Sequence, residues 1–210
     1  MDMVKKSILS FVKKLDRPVF TTREAAMLSG SSLSNASKML KILEKKGLIF
    51  KITRGIWAET GNEKLSPYSI IPLLLIKNRA YVSFISALHL HGIIEQIPQE
   101  ISLASTVHTK RIYTKVGTFS IHCIPPSFFD GFDWYRGDGS FLIAEPEKAL
   151  IDSLYLSTRK KKQFGYFPEL YFPKSFSFKK TVKWVKKIHD PRIRSSVEKK
   201  LLEIRKFQVK

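Results

Sequence analysis

Three groups of residues are of types that could do chemistry. The stretch DGFDWYRGDGS (130–140) holds Asp130, Asp133 and Asp138, and three carboxylates could in principle hold a divalent metal. Their spacing does not follow a calcium loop, and no glycine-serine turn of the nucleotidyltransferase kind precedes them. Glycine and aspartate are the ordinary residues of a turn between strands, which is the role expected here. The stretch EPEK sets Glu145, Glu147 and Lys148 beside a strand-like run, as a metal-dependent nuclease would. The carboxylate-x-lysine spacing of such a site is missing, so a charged first helical turn is expected instead. His89 and His91 are two apart, which on a helix turns them about 200° from each other, and His108 and His122 have no ligand-spaced companions. No P-loop or dinucleotide fingerprint is present. No catalytic residue, metal or cofactor is expected, and the chain reads as a non-enzyme.

The third group suits nucleic acid. In SGSSLSNASKMLKILEKKGLIFKITRGIWA (29–58), Leu33, Ala36, Leu40 and Leu43 share one helical face. Ser34, Asn35, Ser37, Lys38 and Lys41 then face outward, with Ser31 or Ser32 as the cap. Outward residues near the start of such a second helix reach base edges in a helix-turn-helix. Asparagine can bond adenine in a bidentate way, serines reach bases or phosphates, and lysines supply charge to the backbone. Lys51 and Arg54 fall in the hairpin that follows, where a basic tip reaches backbone or minor groove. Ser32, Ser34, Asn35, Ser37, Lys38, Lys41, Lys51 and Arg54 are therefore the expected DNA-contacting residues. The plainer alternative is a solvated helix in a domain used for protein contacts.

The elements that must position them follow from spacing. VKKSILSFVKKL (4–15) aligns Val4, Ile8, Phe11, Val12 and Leu15 on one helical face, and Pro18 ends that pattern. TTREAAMLSG opens with a threonine cap and Glu24, a capping box, and Gly30 supplies the C-terminal turn. Gly47 ends the next helix. LIFKIT and IWAET flank Arg54–Gly55 as a hairpin. Helix, helix, turn, helix, hairpin is the order of a winged helix-turn-helix, placed at residues 1–60. TGNEKLSP (60–67) is polar and turn-rich, so the domain boundary is set there.

Residues 61–210 read as an α+β domain ending in basic helices. YSIIPLLLIKN and SFISALHLHGI are expected helices, the second capped by Ser83. EISLAST, RIYTKVG, TFSIHCI and SFLIA are expected strands, the middle pair turning at Gly117. EPEKALIDSLYL restarts a helix with Pro146 at its first position. Val182, Val185 and Ile188 are expected to line the first basic helix, and Ile193, Val197, Leu201 and Ile204 the second.

The formal net charge is +19, with 43% hydrophobic and 26% charged residues, which is the balance of a folded, polyanion-attracting protein. Residues 1–60 hold 12 Lys/Arg against 5 Asp/Glu, residues 61–157 hold 8 against 9, and residues 158–210 hold 17 against 4. Two basic ends flank a near-neutral middle. The tail, with STRKKK and the last helices, exceeds what solubility requires and is either a second nucleic-acid surface or a solvated face. The single cysteine, Cys123, excludes an intrachain disulfide, fits a reducing cytoplasm and is expected to be a buried, inert thiol. No signal peptide is expected, and the run SIIPLLLI falls well short of the ~18 residues of a membrane span.

The order of TTREAAMLSG, ASKMLKILEKKGLIFKITRGIWA, YVSFISALHLHGIIEQIP and AEPEKALIDSLYL resembles the AbiEi-type antitoxins of bacterial type IV toxin–antitoxin systems. The resemblance spans about residues 18–157 and departs from the family pattern at Glu145, where a small capping residue is expected. It implies an N-terminal winged helix-turn-helix followed by an antitoxin domain. It further implies a repressor that binds inverted repeats upstream of its own operon and opposes a nucleotidyltransferase toxin, without requiring a stable complex. Two other functions stay open on the residues alone: a nuclease or nucleotidyltransferase delivered by the winged domain, and an RNA-binding module using the basic tail.

Overall fold

Local chemistry starts each element of the first unit. The Thr21 hydroxyl accepts the Glu24 backbone N–H while Glu24 accepts the Thr21 backbone N–H, the reciprocal capping box. Burial pushes the Glu24 carboxyl up, but hydrogen bonds from Arg17 and Thr21 outweigh it and hold the group below the usual carboxylate range. The helix so started, α1 (Thr22–Ser29), follows strand β1 (Val19–Thr21) and ends at Gly30, whose φ of 61° is the left-handed cap conformation. Ser32 caps α2 (Leu33–Lys45), its hydroxyl accepting the Asn35 N–H at 3.2 Å. Strands β2 (Ile49–Thr53) and β3 (Ile56–Glu59) turn at Arg54–Gly55, where Gly55 takes φ 79°. The sheet order is β1-β3-β2, antiparallel throughout, with an irregularity between Lys51 and Thr53. Phe20, Ala25, Ala36, Leu40, Ile49 and Trp57 form the core beneath it.

The computed structural model describes residue 10 and residues 17–76, 78–137, 141–159 and 168–207. The expected helix over 4–15 and the acid Asp138 lie outside the described residues. The protein is mixed α+β, with seven α-helices and two sheets among the described residues. It divides into two units, Met1–Ile76 with Tyr113–Gly117 and Gly137–Ser140, and Lys77–Ile112 with Thr118–Arg136 and Phe141–Lys210. No helix among the described residues is long and apolar enough to cross a membrane.

The expected helix in YSIIPLLLIKN is only a 3₁₀ turn, Pro67–Ile70, and one α turn, α3 (Ile71–Leu74). Leu75 leaves helical geometry at φ −130°, ψ 64°. A six-stranded sheet follows in the order β6-β7-β5-β4-β9-β8. Its strands are β4 (Ala80–Val82), β5 (Ile101–Ser105), β6 (Lys110–Thr114), β7 (Gly117–Cys123), β8 (Phe132–Trp134) and β9 (Leu142–Ala144). β4 pairs antiparallel with β5 and parallel with β9, while β5 pairs parallel with β7. β8 arises inside the acidic stretch expected to be only a turn, pairing antiparallel with β9.

Helices α4 (Phe84–Leu90), α5 (Pro146–Arg159), α6 (Phe178–Lys186) and α7 (Pro191–Phe207) complete the second unit. α5 is central: it touches α4, α6 and α7, and every residue from Glu147 to Ser157 is buried. A helix covered on all sides must bury whatever it carries, polar groups included.

Three expected core assignments change. Leu33 is 55% exposed and Val182 is 46% exposed; on α6 the inward positions are Thr181 and Val185. Cys123 is exposed rather than buried, because β7 ends there; its Sγ lies 3.8 Å from the Thr106 carbonyl.

Gly131 holds α6 in place. Its φ of 75° is left-handed, and a Cβ there would collide with the Trp184 indole. Gly131→Ala is expected to destabilise the protein by about 2–4 kcal/mol, combining overpacking with left-handed strain. Thermal unfolding followed by tryptophan fluorescence checks this, and an unchanged midpoint would detach Trp184 from that glycine.

Candidate nucleic-acid interface

Helix α2 separates its faces cleanly. At about 100° per residue, Ser34, Lys38, Lys41 and Lys45 fall within an arc of about 60°, opposite Ala36, Leu40 and Leu43. The three inward residues are buried and the four outward ones exposed. Asn35, exposed, flanks the stripe on one side, and Ser37, half-buried, on the other. Glu44, the one acid of α2, points away from this stripe: its Oε1 accepts the Lys51 backbone N–H at 3.1 Å. Among the described residues no ion pair engages Lys38, Lys41, Lys45 or Arg54. These cations therefore present charge to solvent, with no acid among the described residues paired to them.

The expected contact residues divide accordingly. Ser34, Asn35, Lys38 and Lys41 share one exposed region of α2, and Arg54 is exposed at the hairpin turn. Ser32 is exposed, but its hydroxyl already serves the Asn35 N–H as a cap. Lys51 is not at the hairpin tip. It pairs with Trp57 across the β2–β3 ladder, half-buried, with its ammonium 5.8 Å from the indole centre. Lys45 completes the basic stripe and was legible from its place seven residues beyond Lys38.

No family model and no curated protein matches the chain. What the site can do is thus judged on its chemistry.

A second constellation lies in the second unit. Lys148 and Asp152, one turn apart on α5, form an ion pair with both side chains 0% exposed. Asp152 Oδ2 accepts the Tyr81 hydroxyl at 3.0 Å and the Ser83 hydroxyl at 2.7 Å, and the Lys148 ammonium donates to Tyr81 at 3.0 Å. The ammonium also sits 3.8 Å from the Phe128 ring centre. Burial pulls the Lys148 ammonium below the usual lysine range, with Asp152 opposing that fall. Burial and the Asp152 charge push the Tyr81 phenol well up. Ser83, expected to cap α4, makes no such bond because its hydroxyl is turned to Asp152. Phe84, the next residue, has φ 56°, a left-handed conformation that costs a bulky residue about 1–3 kcal/mol. Its ring is buried edge-on against His122 at 5.0 Å, so packing holds it there.

The expected charged first turn at EPEK forms, with Glu145 exposed before it and Glu147 and Lys148 buried. Glu147 is buried and its Oε1 accepts the Ser177 N–H at 2.9 Å, while Lys148 belongs to the inner network. Asp130 accepts its own neighbour's N–H from Gly131 and pairs with Lys187 at 2.5 Å; Asp133 accepts the Trp134 N–H. The Lys187 ammonium and the Gly131 N–H hold the Asp130 carboxyl below its ordinary range. Among the described residues no group of three His, Cys, Asp or Glu side chains could hold a metal ion. The signal for the buried network was the reversed order of Lys148 and Asp152, lysine before acid at four residues, inside an apolar run. Helix-surface pairs favour acid before lysine.

Proposed function

We propose that the first unit is a winged helix-turn-helix that reads double-stranded DNA, and that the chain is a repressor of its own type IV toxin–antitoxin operon. α2 is the recognition helix on this reading, Ser34 and Asn35 its base-reading residues, and Lys38, Lys41, Lys45 and Arg54 its phosphate contacts. The observation that carries it is the exposed basic stripe on α2, engaged by no ion pair among the described residues and set in sequence between a capped helix α1 and a glycine-turned hairpin. The second unit is the antitoxin domain that opposes a nucleotidyltransferase toxin, an assignment that rests on the resemblance of residues 18–157. The protein acts in the cytoplasm without cofactor or catalytic turnover.

The test is a titration of the whole chain onto its own upstream DNA and onto a shuffled duplex, across a salt series. Affinity for the upstream DNA at least ~10³-fold tighter is expected of a specific repressor. Equal, steeply salt-dependent affinities would reduce the stripe to non-specific attraction. Asn35→Ala is expected to relax preference at one operator base pair, costing about 1–3 kcal/mol there. A set of single-base operator variants measures this, and an unchanged preference would remove Asn35 from the reading set.

A further inference from the structure

A small pocket opens in the second unit, remote in kind from the α2 stripe. Phe128, Tyr155, Pro125 and Ile188 form its apolar part, and its volume is about 190 Å³. A dry apolar cavity of about 150 Å³ already takes benzene, so the space is of the size of one six-membered ring. The Phe128 and Tyr155 rings, 5.2 Å apart and tilted by 38°, both line this space.

The rim supplies a different chemistry. Arg159 lies over Tyr155 with its guanidinium carbon 4.9 Å from the ring centre. Among the described residues no hydrogen bond or ion pair takes up its donors, and none takes up the His189 ring. Lys187 and Asp190 supply the other charges of the rim. Lys187 pairs with Asp130, and Asp190 Oδ1 accepts the Arg192 and Ile193 N–H groups at the start of α7.

The wall is also fixed before any ligand arrives. Arg194 donates from Nε to the Ile188 carbonyl at 2.8 Å, which pins the segment between α6 and α7. A guanidinium whose donors no hydrogen bond or ion pair takes up among the described residues, beside an aromatic ring, matches a phosphate and a ring carried by one molecule.

We propose that this pocket binds a pyrimidine nucleoside 5′-phosphate, its ring against Phe128 and Tyr155 and its phosphate on Arg159. His189 adds a second donor to the phosphate. The site is independent of the α2 stripe, so failure of the promoter titration leaves it standing.

Calorimetric titration of the full chain tests it with uridine 5′-monophosphate, uridine, inorganic phosphate and adenosine 5′-monophosphate as separate probes. Saturable binding of the uridine nucleotide is expected, with uridine and phosphate each at least about tenfold weaker because each keeps only half of the contacts. The adenine nucleotide is expected to bind more weakly because its fused ring is larger than the single ring that matches the space. Arg159→Ala is expected to weaken the uridine nucleotide by about tenfold or more. Arg159 is exposed, so an unchanged thermal unfolding curve will show that the variant folds. Tyr155→Leu is expected to reduce affinity for the nucleotide while leaving that for phosphate alone unchanged. A 5′-phosphorylated dinucleotide that competes equally would identify the ligand as a strand end; a weaker competitor would identify it as the free nucleotide. No saturation with the uridine nucleotide, or equal affinity in Arg159→Ala, overturns the proposal.

Discussion

Lys148→Met is expected to cost the protein about 3–5 kcal/mol, because it strands the Asp152 carboxylate in an interior that was built around the pair. Both side chains are 0% exposed, so water cannot replace the lost ammonium. The Tyr81 and Ser83 hydroxyls would still donate to Asp152 Oδ2, which keeps the loss near the lower end of that range. Asp152→Leu is expected to be at least as costly, since it leaves the ammonium unpaired against aromatic rings. The double variant should lose less than the two single losses combined, because replacing both charges by apolar groups removes the desolvation cost along with the attraction. Urea unfolding, with its slope held constant, measures all three. Strictly additive losses would mean that the two groups do not act as a pair.

The pH dependence of the same network has two opposing signs. The Lys148 ammonium is held below its ordinary range, so in the alkaline range the native state releases that proton before the unfolded chain does. Stability from this group rises as pH climbs through the folded value towards the ordinary one. The Tyr81 phenol is raised; its contribution is full below the usual tyrosine range and is lost as pH rises through and above that range.

The second large effect belongs to the α2 stripe. Replacing Lys38 and Lys41 together by alanine is expected to weaken binding to upstream DNA on the order of 10²-fold at ~0.1 M salt. Each phosphate contact contributes about 0.9 to the slope of log affinity against log salt, hence nearly one decade at that concentration. The slope itself should flatten by about 2. The ratio of upstream to shuffled DNA should stay the same, since phosphate contacts carry no sequence. Asn35→Ala is the complementary case, with a narrowed ratio and an unchanged slope. Both lysines are exposed and make no ion pair among the described residues, so the double variant should fold within about 0.5 kcal/mol of the parent. An unchanged salt slope would remove both lysines from the interface.

What residue order determined by itself lies within about one turn of chain. The Thr21–Glu24 box, the Gly30 and Gly55 turns, the Ser32 cap and Pro146 at the start of α5 all appear where their local chemistry requires. Such effects act between a side chain and backbone groups two to four residues away. The polar stripe of α2 was legible for a related reason: helical periodicity sorts Ala36, Leu40 and Leu43 from Lys38 and Lys41 without reference to anything distant.

Tertiary structure alone decided the rest. Ser83 has the residue type and position of a cap, yet its hydroxyl serves Asp152, 69 residues away. Val182 fits the apolar periodicity of α6, but the packing of α5 against that helix buries Thr181 in its place. Cys123 sits in an apolar run, and only the end of β7 leaves it in solvent. The pocket brings Tyr155 and Arg159 of α5 together with Phe128 and Ile188, which lie outside that helix. Burial depends on which surfaces meet, and the partner of a face is chosen by long-range packing that periodicity does not encode. Local hydrogen bonds start and stop the elements of this protein; the covering of α5 on every side decides which of its charges become interior.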